Sequence, residues 1–120
     1  MKVLLDHCVL RRFRRLLTEH EVRTAFEMGW AGLGNGDLLA QASQEFGAFL
    51  TVDQNVQFQR NLATLPLPVG IIVAPDNRFE TLAPYAPAVL DWLSQPLVCE
   101  LVRIEATGQI VRDPPRPPQR

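Results

Sequence analysis

Residues 36–55 read Gly-Asp-Leu-Leu-Ala-Gln-Ala-Ser-Gln-Glu-Phe-Gly-Ala-Phe-Leu-Thr-Val-Asp-Gln-Asn. Leu38, Leu39, Ala42 and Phe46 recur at helical spacing and make one buried stripe, and Gly47 stands where helices commonly stop. Ala48 to Val52 is then an apolar run of strand length. A helix feeding straight into such a strand is half of a right-handed crossover between parallel strands. Asp37 opens that helix and Asp53 leaves that strand. Both carboxylates are therefore expected at the edge where strand C-termini and helix N-termini converge, the edge at which open parallel sheets bind ligands.

Toward the N-terminus, Val3, Leu4 and Leu5 form a continuous apolar run, the mark of a strand covered on both faces, with Asp6 just past its end. Val9, Leu10, Phe13, Leu16 and Leu17 then hold a helical period, with Arg11, Arg12, Arg14 and Arg15 on the other positions. Glu21 to Phe26 alternates in the manner of a half-exposed strand, and residues 27–36 carry four glycines and Trp30 as a loop. After Asp53, residues 54–62 suit a short surface helix or turn, and Val69 to Val73 is a further buried strand. Pro75-Asp76-Asn77 is a turn, and Leu82, Tyr85, Ala86, Val89, Leu90 and Leu93 resume the helical period, with Pro84 and Pro87 tolerable near its start. Leu97 to Ile104 is β-prone. This order predicts an α/β three-layer sandwich with a mainly parallel central sheet over residues 1–112. Residues 113–120 hold four prolines and are expected to be extended or disordered.

The 120 residues suffice for one domain, and 12 basic against 13 acidic residues leave a net charge of −1, so no global field draws the chain to nucleic acid or membrane. Any anion binding must be local. Cys8 and Cys99 form no Cys-x-x-Cys pair, which suits the reducing cytosol, and no apolar run reaches the length of a membrane span. Gly32-Leu33-Gly34-Asn35-Gly36 with Asp53 further on imitates a dinucleotide fingerprint, but Asp37 takes the place of its third glycine and would repel a pyrophosphate.

Singly, Asp6, Asp37 and Asp53 have ordinary uses as capping or turn residues. Together on one sheet edge they would repel one another unless a cation neutralised them. Hard carboxylate oxygens without His or Cys partners select Mg or Mn, ions that activate water against a phosphodiester. Asn55 is a further candidate ligand, and Glu27 a weaker one. Arg11, Arg12 and Arg15 are candidates for RNA phosphates, although a solvated helix face explains them as well. Trp30 and Phe58 offer rings for stacking or for packing, and His7 suits either a cap or a group beside Asp6.

Leu4-Leu5-Asp6, Gly36-Asp37-Leu38-Leu39-Ala40-Gln41-Ala42 and the run from Leu50 to Phe58 together resemble the PIN-like nucleases, especially their short bacterial branch, over roughly Met1 to Leu93. The resemblance implies that Asp6, Asp37 and Asp53 hold Mg or Mn in a ribonuclease directed at single-stranded RNA. Many members are toxins of toxin-antitoxin pairs, so an antitoxin protein and a second copy of the chain are the protein partners it admits. Two departures stand out: members often carry another acid on a middle helix, where only Glu27 offers itself, and an acid or amide commonly follows the first Asp, where this chain has His7. The alternative is a PIN-like module that binds a protein or RNA without cutting. A phosphoacceptor receiver fits less well, since no second acid stands beside Asp6.

Overall fold

The computed structural model describes residues 1–53 and 65–113. Six strands, β1 (Lys2–Leu5), β2 (Glu21–Thr24), β3 (Ala48–Thr51), β4 (Val69–Ile72), β5 (Leu101–Ile104) and β6 (Ile110–Asp113), form one sheet in the order β2-β1-β3-β4-β5-β6. The first five are mutually parallel and β6 runs antiparallel to β5. The expected α/β architecture with a mainly parallel sheet is therefore present.

Alternate strand residues divide between two cores because side chains along a strand point to opposite faces. Val3, Leu5, Leu50, Ile72 and Val102 join Phe13, Leu17, Val89 and Trp92 in one core. Leu4, Phe49, Val69, Ile71 and Leu101 join Leu38, Leu39 and Ala42 in the other. Helix α1 (Asn35–Ala42) thus covers one face, and α2 (Phe79–Leu82) with α3 (Ala86–Ser94) covers the other. That is the layering of a three-layer sandwich. The β4 to β5 connection lies on the same face as β1 to β2 but steps the opposite way across the sheet, so the two crossovers have opposite hands and one departs from the usual right hand. Gly70 makes room for the α3 layer: a Cβ there would stand 2.8 Å from the Trp92 ring and 3.1 Å from Leu50.

Three expectations change. The segment after Asp6 is a 3-10 helix over Arg11–Leu16, not an α-helix beginning at Val9. The Val9 N–H turns back to Asp6 O, and Asn77 from beyond β4 accepts from Leu10 N–H and donates to Cys8 O, so the chain there is committed to a turn. Three residues per turn place Arg11 above Arg14 and Arg12 above Arg15. Second, α1 ends at Ala42, and looser turns carry the apolar stripe on to the buried Phe46. Third, the C-terminal end adds β6, reached through a turn in which Gly108 takes a φ of 87° and Gly108 N–H donates to Glu105 O. Asp113, assigned from sequence to the tail, is the last residue of β6. Pro84 and Pro87 sit at the starts of the 3-10 turn Ala83–Tyr85 and of α3, where a missing N–H costs nothing.

The helix or turn expected over residues 54–62 lies outside the described residues, as do residues 114–120. Among the described residues no helix is long and apolar enough to cross a membrane.

Candidate functional site

In the strand order, β1 lies between β2 and β3, so the chain leaves β1 toward one side of the sheet and leaves β3 toward the other. Such a switch point opens a crevice at the strand C-termini. Asp6 directly follows β1, and Asp53 follows β3 by two residues. Asp37 stands in the first turn of α1, which enters β3 after its C-terminal end and so begins at the same edge of the sheet. The topology thus assigns all three acids to one edge.

Their surroundings differ. Asp6 is buried, with 2 % of its surface exposed. Its Oδ1 accepts the His7 N–H at 2.8 Å and lies 3.0 Å from His7 Nδ1. Its Oδ2 accepts the Thr51 hydroxyl at 2.8 Å and stands 3.4 Å from the Cys8 thiol. The Thr51 oxygen also accepts the Asp53 N–H at 3.0 Å, so one hydroxyl joins the ends of β1 and β3. Asp53 is half-buried and Asp37 exposed. Burial pushes the Cys8 thiol above its ordinary 9.0, and the Asp6 charge beside it pushes the same way against the Thr51 hydrogen bond.

The donor chemistry of three carboxylates suits Mg or Mn. Both oxygens of Asp6 accept hydrogen bonds from neighbouring donors, which orient the carboxylate and leave it a further lone pair for an ion. Among the described residues no three His, Cys, Asp or Glu side chains come together in a metal-binding group. Asn55 lies outside the described residues. Glu27 is used otherwise: its Oε1 accepts Thr24 N–H at 3.0 Å and Arg14 Nη1 at 2.8 Å, while Glu27 N–H donates to Thr24 Oγ1.

The arginines separate by task. Arg14 pairs with Glu27, Arg12 lies 4.6 Å from the centroid of the Phe79 ring, and Arg15 is exposed. Arg11 lines a pocket of about 500 Å³ together with His7, Leu10, Phe26, Ala31 and Asn77. His7 therefore faces two ways, its Nδ1 on Asp6 and its ring on the pocket. Trp30 packs edge-on against Phe46 at 6.0 Å between centroids, on the α1 side of the sheet. Phe58 lies outside the described residues.

Sequence reasoning passed over Thr51, Cys8, Asn77 and Phe26. Thr51 carried a signal, being the lone hydroxyl in the apolar run Ala48 to Val52. Asn77 carried none, since its partners lie more than sixty residues away. No protein-family model, curated protein or solved structure matches the chain.

Proposed function

We propose that the chain is a PIN-like ribonuclease that engages single-stranded RNA at the C-terminal edge of β1 and β3. The observation that carries this reading is the assignment of Asp6, Asp37 and Asp53 to the switch-point edge, which joins the motif order of the sequence to the place where such sheets bind ligands. Mg or Mn is the cofactor this activity calls for, and Asp6, Asp37 and Asp53 are the residues that would hold it. The use of Glu27 within its own turn favours a second reading, a PIN-like module that binds a protein or RNA and does not cut RNA. An antitoxin partner belongs to the first reading alone.

Calorimetric titration with Mn²⁺, run beside cleavage of a single-stranded RNA panel, separates the two. For the ribonuclease, Asp53→Asn lowers Mn²⁺ affinity and cleavage together while folding survives, because one charge is lost at constant shape. A wild-type chain that takes up no Mn²⁺ and cuts no RNA, yet retains RNA in a binding assay, establishes the second reading.

A further inference from the structure

Phe26 is the most exposed large apolar side chain among the described residues, with 76 % of its surface in water. It is not on a loose loop. Thr24 and Glu27 bond each other reciprocally through side chain and backbone, Arg14 holds Glu27 from the 3-10 helix, and Trp30 N–H returns to Ala25 O. Gly29, at a φ of 77°, completes the turn. A ring presented to solvent by so fixed a turn is preorganised, and a flat partner laid on it loses little to ordering the protein.

We propose that the pocket between His7 and Phe26 seats one nucleobase of single-stranded RNA on the Phe26 ring, with a neighbouring phosphate on Arg11; this rests on the RNA engagement proposed above. The volume of about 500 Å³ falls within the range of small-ligand pockets and admits a single nucleotide. The pocket pairs an aromatic face with a cation, and Arg11 makes no ion pair among the described residues. That pairing fits a base carried on a phosphate chain better than an apolar peptide. His7 places the seat beside Asp6, so RNA entering it runs along the edge that carries the acids. Asn77 spends its amide oxygen and nitrogen on Leu10 and Cys8, and the Thr24 hydroxyl accepts from Glu27 N–H. Stacking is sequence-tolerant because every base has a π-face, so the Phe26 ring takes any base.

The test is fluorescence anisotropy in EDTA, comparing a labelled single-stranded RNA with an abasic ribose-phosphate strand of equal length. Phe26→Ala should weaken the RNA complex about 5- to 150-fold, the span of one lost base stack, and leave the abasic complex unchanged. Phe26→Trp should restore RNA binding. Arg11→Gln should weaken both complexes and lower the salt slope by about one. If wild type binds RNA and Phe26→Ala changes nothing, or costs both strands equally, the base seat is wrong while RNA engagement stands. If wild type binds neither strand, RNA engagement itself fails and takes the base seat with it.

Discussion

Thr51 governs how Asp6 is held, since its hydroxyl donates to the buried Oδ2 and accepts the Asp53 N–H. Thr51→Val keeps the shape of this fully buried side chain and removes both bonds. A buried carboxylate left short of a donor costs roughly 1–3 kcal/mol, so the variant should lose that much unfolding free energy and show a lower urea midpoint. Asp6→Asn alters the acceptor side of the same bond, and the double variant should cost less than the sum of the singles. Strict additivity in the urea midpoints would show that the two side chains do not act on each other. At this scale the acids were legible because each stands next to a run whose period marks an element, so position followed from local pattern. Cys8 and Asn77 were not, because what they contact is decided by strand order, which no local pattern carries.

The turn from Thr24 to Gly29 shows an element fixed by charge. Its Thr24 N–H, then the Arg14 guanidinium, hold the Glu27 carboxyl below its ordinary 4.5. The unfolded chain then binds this proton more readily than the folded one, so the contribution to stability is present above about pH 4.5 and is lost as pH falls through the lower folded value. Glu27→Gln should flatten the fall of the urea midpoint below pH 4.5, and equal slopes for wild type and variant would show that the ionised carboxylate does not hold the turn. Periodicity made the buried strands and α3 legible, since both are long runs with one or two covered faces. It misread Arg11–Leu16 because Val9, Phe13 and Leu17 are all buried as an α-helix would bury them, while Asn77 and a short crossover enforce the tighter winding. Strand β6 escaped notice because Ile110 and Val111 sit beside a proline-rich stretch that dominates the local composition.

At the scale of the whole molecule, β6 matters as a cover. Three of the four residues of β5 are buried, and its backbone is paired on one side by β4 and on the other by β6. Without β6, β5 becomes an apolar edge with unpaired N–H and C=O groups, the kind of edge that pairs with another chain. The net charge of −1 supplies little repulsion against such pairing. Arg112 ties the cover down through Glu100 and Gln95, on the segment that leads into β5. A chain ending at Glu105 should therefore melt lower than one ending at Asp113 and associate more. Light scattering coupled to size exclusion, with thermal melts of both chains, checks this. A chain ending at Glu105 that behaves like the longer one would mean that β5 needs no cover, and that the sheet is complete at its parallel strands.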